Sequence, residues 1–171
     1  MSYFQSFPTI MYDPVSKGEN AKLITNILHR VRVRINMKKN IVMLDPYDIK
    51  ENETPEIVAD KHHGSPYYHW VVMMVNDISD VHHDWPKSTR QLQKYLTSKY
   101  TNAQLDEAHH YEISQSSGDT SVKIQVPQGT SGATTVTNYE YEVALNENKR
   151  KIDLLRNDYL GFFTEEFANL I

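Results

Sequence analysis

The amino-acid sequence predicts an α+β fold. Apolar residues recur at helical spacing in some stretches, as at Leu92, Tyr95, Leu96 and Tyr100, and alternate strictly with polar ones in others, as at Arg30–Ile35. Pro- and Gly-containing turns separate the two kinds of segment. At 171 residues the chain is one domain by length, or one compact domain with appendages. That length suffices to bury a core.

Residues 1–20 form an aromatic arm, with Tyr3, Phe4, Phe7 and Tyr12 spread among polar residues and two prolines. Such a segment makes no core of its own, so its rings lie either on the parent domain or on a neighbouring subunit. Residues 21–28 predict a short helix from Leu23, Ile24, Ile27 and Leu28. Residues 29–35 switch to period two. Arg30, Arg32 and Arg34 alternate with Val31, Val33 and Ile35, which predicts a half-buried strand with a basic outer face. A second strand is expected at 41–49, interrupted by Asp45-Pro46.

The stretch 54–86 is the most informative, being dense in aromatics and containing both tryptophans. Thr54 is an N-cap candidate, Pro55 takes the favoured first helical position, and Glu56 suits the positive end of the helix dipole. This helix runs to about His62 and stops at Gly64-Ser65-Pro66. A second helix, 67–75, is apolar nearly all round and therefore buried. Asn76-Asp77 ends it, and Asp84-Trp85-Pro86 forces an extended exit. Ser88 caps a third, amphipathic helix reaching Tyr100.

Residues 109–113 are extended. Residues 114–135, rich in Ser, Thr, Gly and Gln, predict a flexible or protruding loop in which VKIQV is a candidate short strand. Tyr139, Tyr141, Val143 and Leu145 alternate, predicting a strand that pairs back on 109–113. A final amphipathic helix over 147–170 carries Ile152, Leu155, Tyr159, Phe162, Phe163 and Phe167. Its apolar face needs a partner, either this chain or another one.

Composition narrows the function classes. The net charge of −4 does not argue for a nucleic-acid partner. The absence of cysteine removes disulfides and thiolate catalysis and fits a reducing birthplace. No run approaches the roughly 18 apolar residues that span a bilayer, and the first residues do not resemble a secretory signal. Eleven tyrosines suit surfaces that become interfaces, because each ring is apolar with a polar tip.

No chemistry-bearing constellation stands out. Six of eight histidines come as adjacent pairs, His62-His63, His82-His83 and His109-His110. Neighbours on a helix diverge by about 100° and neighbours on a strand face opposite sides, so these pairs read as polar residues near turns rather than metal ligands. There is no GxSxG elbow and no phosphate-binding glycine loop. Arg30, Arg32 and Arg34, with Lys38-Lys39, lack interleaved aromatics for base stacking and suit ion pairs with a partner. No catalytic, cofactor-binding or metal-ligating residues are assigned.

Two resemblances meet at 47–86. Tyr47-x-Ile49, the acidic turn 51–54, Pro55-Glu56-Ile57-Val58-Ala59, Gly64-Ser65-Pro66, Trp70, Asn76, Ile78 and Trp85-Pro86 resemble the LysM module, a small βααβ unit. Here Glu53-Thr54 replaces that module's Asp-Thr and His63-Gly64-Ser65 its Tyr-Gly-Asp. Pro86-Lys87 replaces Pro-Gly, and a helix takes the place of the closing strand.

The second resemblance covers almost the whole chain. It rests on Tyr3-Phe4-x-x-Phe7-Pro8, Ile27-Leu28-x-Arg30-Val31, Tyr67-x-His69-Trp70-Val71-Val72, Asn76-Asp77-Ile78, Asp84-Trp85-Pro86, Tyr139-Glu140-Tyr141-Glu142 and Glu166-Phe167. These resemble the baseplate wedge subunit family of T4-type contractile-tailed phages, the gene 53 product.

The resemblances imply a LysM-like βααβ core with an N-terminal arm, a β-hairpin insertion and a C-terminal amphipathic helix. The expected division is 1–46 (arm, short helix and basic strand), 47–104 (LysM-like core plus following helix) and 105–171 (hairpin, long loop and C-terminal helix). The implied function is a non-enzymatic structural one, clamping adjacent wedge subunits around the tail hub, with a LysM-type peptidoglycan- or glycan-binding module as the alternative. The implied partners are other wedge and hub proteins and neighbouring copies in a ring. No cofactor, nucleic acid, membrane or small-molecule substrate is expected. The implied location is the virion, after synthesis in the host cytoplasm.

Ile57, Trp70, Val71, Met74, Ile78, Trp85 and Pro86 are the expected rigid centre. Tyr3, Phe4, Phe7, Arg30, Arg32, Arg34, Tyr139, Tyr141, Phe163 and Phe167 are the expected partner contacts. Uncovered, these apolar surfaces would make the isolated protein associate or show mobile termini.

Overall fold

A computed structural model describes residues 3–14, 21–28, 31, 42–115 and 122–171. The expected basic strand, with Arg30, Arg32 and Arg34, lies outside the described residues, Val31 excepted. The architecture is α+β. The chain divides into two compact units, one made of residues 1–84 and 151–171, the other of residues 85–150. This differs from the three consecutive segments expected, because the first unit is discontinuous in sequence.

The first unit opens with a 3₁₀ turn, Tyr3–Ser6, and a two-stranded ribbon of β1 (Thr9–Tyr12) and β2 (Lys22–Thr25). These strands pair antiparallel, with Ile10 opposite Ile24 and Met11 opposite Leu23. The short helix expected at 21–28 is therefore a strand. Eight residues are too few to sustain a helix without tertiary support, whereas β1 supplies β2 with a hydrogen-bonding partner.

Strand β3 (Leu44–Asp48) pairs antiparallel with β7 (Lys151–Leu155), placing Tyr47 opposite Ile152 and Pro46 opposite Asp153. Pro46, which lacks an N–H, is accommodated because the sheet has only two strands and β3 keeps one edge unpaired within it. Between them in sequence stand α1 (Pro55–His63), a 3₁₀ turn (Pro66–Tyr68), α2 (His69–Val75) and α3 (Val81–Asp84). Helix α7 (Asn157–Leu170) follows β7.

The local chemistry of α1 is as expected. Thr54 Oγ1 accepts from the Ile57 N–H at 3.4 Å, and Pro55 starts the helix. Gly64 closes it at φ 73°, where a side chain would be strained, and its N–H reaches Asp60 O at 2.9 Å.

The single helix expected over 147–170 is instead interrupted. Residues 151–155 alternate in burial, with Ile152 and Leu154 inward, and Leu155 is also buried. Pairing with β3 decides in favour of strand. Strand β7 thus follows the second unit in sequence, not Trp85-Pro86 directly.

One cluster gathers Phe7, Leu44, Trp70, Val71, Val75, Leu155, Phe163 and Phe167. Trp70 is its hub. The Phe167 ring centroid lies 4.5 Å from Trp70, Tyr3 5.7 Å and Phe163 6.0 Å. Burying each such side chain contributes about 1.5–3 kcal/mol.

The second unit contains α4 (Thr89–Lys99), α5 (Asn102–Leu105) and α6 (Asn138–Asn148). It also holds a three-stranded antiparallel sheet in the order β5 (Lys123–Val126), β4 (Ala108–Ser114), β6 (Thr134–Thr137). Ser88, Thr101 and Thr137 each close a capping box with the Gln or Glu three residues on. The strand expected at 137–145 is therefore helix α6. The Thr137–Glu140 box sets a helical start, and the alternating tyrosines and aliphatics beyond it follow. Strand β6 takes the expected place beside β4. The entry and exit of this unit are tied by Asn146, whose Oδ1 accepts from Lys87 N at 2.7 Å and whose Nδ2 donates to Lys87 O at 2.9 Å.

Candidate docking surfaces

The expected rigid centre is distributed unevenly. Trp70 and Val71 are buried in the first unit's core, with Met74 packed against it. Ile78 is half-buried, and Trp85 and Pro86 are buried at the start of the second unit. Ile57 departs from expectation. It is 41% exposed, because α1 turns Val58 and Ala59 inward and leaves Ile57 on its outer side.

The expected partner contacts also separate. Phe7, Phe163 and Phe167 are covered by the chain itself, since arm and C-terminal helix close over Trp70. Tyr3 is half-buried among the same rings. Phe4 and Tyr139 are 53% and 52% exposed. Tyr141 is half-buried and stacks on His109, with ring centroids 3.7 Å apart.

Among the described residues of the first unit, two apolar surfaces stand out. The first is the β1–β2 ribbon, whose eight residues are all exposed. In a two-stranded ribbon opposite pairs share a face, so Ile10 and Ile24 fall on one side and Met11 and Leu23 on the other. Met11 and Leu23 are each 66% exposed, and Ile27 and Leu28, just past β2, are 68% and 83% exposed. Sequence reasoning missed this ribbon because each strand is only four residues long. Neither Thr9-Ile10-Met11-Tyr12 nor Lys22-Leu23-Ile24-Thr25 alternates, so no period-two signal was available. The second surface is a groove of about 670 Å³ beside Trp70, lined by Tyr3, Phe4, Met73, Met74 and Ile78, with His69, Asp77 and Ser79 on its polar side.

The polar side chains that are buried or half-buried serve as ties. The Glu53 carboxylate accepts from the Tyr47 hydroxyl at 2.8 and 3.0 Å, from Lys50 N at 2.8 Å and from Lys61 Nζ at 2.6 Å. Burial alone would push its carboxyl up, but the Lys61, Lys50 and Tyr47 donors outweigh that and hold it below the ordinary carboxylate range. Burial and the adjacent Glu53 carboxylate push the Tyr47 hydroxyl up to about 12. In the second unit the buried Glu142 accepts from Lys99 Nζ at 2.5 Å and the Tyr100 hydroxyl at 3.0 Å.

His62 and His63 tie α1 to the segment around Leu155 and Asn157. His62 Nε2 donates to Leu155 O at 3.0 Å, and Asn157 Nδ2 donates to His62 O at 2.7 Å. Asn157 Oδ1 accepts from His63 Nδ1 at 2.8 Å, which fixes that ring's tautomer and leaves its Nε2 buried without a hydrogen-bond partner. Burial holds the His63 imidazole below the ordinary histidine range. Among the described residues no three His, Asp or Glu side chains come together to hold a metal. No helix of the described residues is long and apolar enough to cross a membrane.

What the fold offers is contact surface carried on a tied α+β frame, the class of a structural, assembly-forming protein. Residues 3–124 match the family described as Base plate wedge protein 53, and the chain belongs to that family. It is a phage baseplate component, structural rather than enzymatic, and its partners are other baseplate proteins. Among curated proteins nothing matches the sequence.

Proposed function

We propose that this chain joins adjacent wedge subunits around the hub of a contractile tail baseplate. The supporting observation is the β1–β2 ribbon with its flanking Ile27 and Leu28, which presents apolar side chains on both faces. A lone two-stranded ribbon is only marginally stable in water, and contact with a neighbour on each face would fit a part that bridges two subunits. Phe4, Tyr139 and the guanidiniums of Arg30, Arg32 and Arg34 are further contacts in this reading, the arginines toward carboxylates of neighbours.

The frame that carries the ribbon is read as a LysM-like βααβ core. Strand β3, helices α1 and α2 and strand β7 supply that order, with residues 85–150 inserted ahead of the closing strand.

Co-expression with the other wedge proteins tests the joint. Met11→Asp combined with Leu23→Asp is expected to abolish co-purification while the melting temperature of the isolated chain stays within a few degrees. Unchanged co-purification by that double variant would overturn the reading.

A further inference from the structure

Adjacent strand residues ordinarily point to opposite faces, yet His109 and His110 meet. The cause is a β-bulge. Pairing of β4 with β6 slips between Ala108 opposite Thr137 and His110 opposite Val136, leaving His109 as the extra residue. The two Nδ1 atoms come within 2.9 Å, and the rings stand at 86° with centroids 5.1 Å apart. His109 stacks on Tyr141 of α6 at an interplanar angle of 11°, and His110 meets the same ring edge-on at 6.0 Å.

We propose that this pair is a protonation-sensitive latch joining β4 to α6. A hydrogen bond between two Nδ1 atoms requires one donor and one acceptor, so at least one ring must present an unprotonated Nδ1. One added proton is tolerated, because a protonated His109 over the Tyr141 face gains a cation–π contact. When both rings carry a second proton, two N–H groups and two like charges face each other across the former bond. One ring must then swing away, and the stack on Tyr141 opens with it. The second proton must enter an already charged pair at the expense of the shared hydrogen bond, so the latch opens only on strong acidification.

Among the described residues no salt bridge neutralises the pair. Strand β6 brings only threonines and Val136. From β5, Lys123 is paired with Glu112 of β4. On α6 the Glu140 carboxylate is held by Thr137 and Glu142 by Lys99 and Tyr100, which leaves Tyr141 as the titratable group in ring contact with the pair. The nearest remaining carboxylates in sequence, Asp106 and Glu107, stand on the turn just before β4. Two ligands fall short of the three or four of a protein metal site, so a proton is the effector.

The test is proton NMR of the full chain between pH 7.5 and 4. The cross-peaks between the His109 and Tyr141 rings are expected at pH 7.5 and lost by pH 4, with exchange of the β4 and α6 amides rising several-fold beyond the intrinsic chemical rate. His110→Asn keeps a neutral donor and acceptor near the Nδ1 position and is expected to retain the cross-peaks at both pH values. Cross-peaks that persist in the wild type at pH 4, or that vanish equally in His110→Asn, would overturn the proposal. If the variant loses the cross-peaks already at pH 7.5, His109→Asn is the second measurement. A fall in amide protection with pH as steep in that variant as in the wild type would overturn it equally.

Discussion

Asn76 and Asp153 are joined by two hydrogen bonds that imitate a strand pairing. Asn76 Nδ2 donates to Asp153 O at 2.7 Å, and Asp153 N donates to Asn76 Oδ1 at 2.9 Å. The same Nδ2 also donates to Val72 O at 2.8 Å. One side chain at the end of α2 therefore caps that helix and holds β7 against it.

Replacing Asn76 with Ala removes all three bonds. At about 0.5–1.5 kcal/mol net for each hydrogen bond, and with water reaching Asp153, a loss of about 2 kcal/mol is expected. Urea unfolding followed by circular dichroism measures it. Asn76→Asp keeps the acceptor but sets a charged oxygen against the Val72 and Asp153 carbonyls, and at pH 7 should be no more stable than Asn76→Ala.

Phe167 and Phe162 lie on one helix and differ in environment. Phe167 is 2% exposed against Trp70, whereas Phe162 is 61% exposed. Phe167→Ala is expected to cost about 3–5 kcal/mol through the cavity left beside Trp70. Phe162→Ala should stay within about 0.5 kcal/mol. Denaturation midpoints with Trp fluorescence as the probe separate the two. Equal effects would contradict the orientation of α7.

Glu53 makes stability depend on pH in a defined direction. Its folded-state pKa is lowered, so its contribution is present above the unfolded-state value and is lost as pH falls through the folded one. Wild type should exceed Glu53→Gln in stability at pH 7, and the gap should close as the carboxylate range is passed on acidification. Unfolding curves for both proteins at a series of pH values check this. A gap that stays constant down to pH 2 would show that the charge is not what matters.

Helices α1 and α4 were legible because their signals are local. Thr54-Pro55 and Ser88 each start a helix within four residues of themselves, and Gly64 ends one. Strand β7 was not legible, because Ile152, Leu154 and Leu155 run on into Tyr159 and Phe163 as if on one helical face. What makes it a strand is β3, far away in sequence. Helix α6 was misread for the opposite reason. Its alternating tyrosines suit either state, and the deciding feature was the Thr137–Glu140 box, a short signal set against a longer pattern. Trp70 as a buried centre was legible from the apolar run around it. That Phe7, Phe163 and Phe167 close over it was not, because two distant ends of the chain must converge for them to meet. The contact of His109 with His110 depends on a slip in strand register, which alternation cannot anticipate.

The discontinuity of the first unit has a consequence for synthesis. Leu44 pairs with Leu155, and Trp70 waits for Phe163 and Phe167. All three of those later residues follow the whole of residues 85–150, so the nascent chain carries β3 and α2 without their partners until that unit has been made. Closing so long a loop is slow. Residues 85–150 emerge earlier and contain both halves of their own Asn146–Lys87 tie, so they are free to fold first. A chain interrupted before Phe163 would leave its tryptophan hub without the two rings that close it, so the hub is sealed only after the second unit has been made.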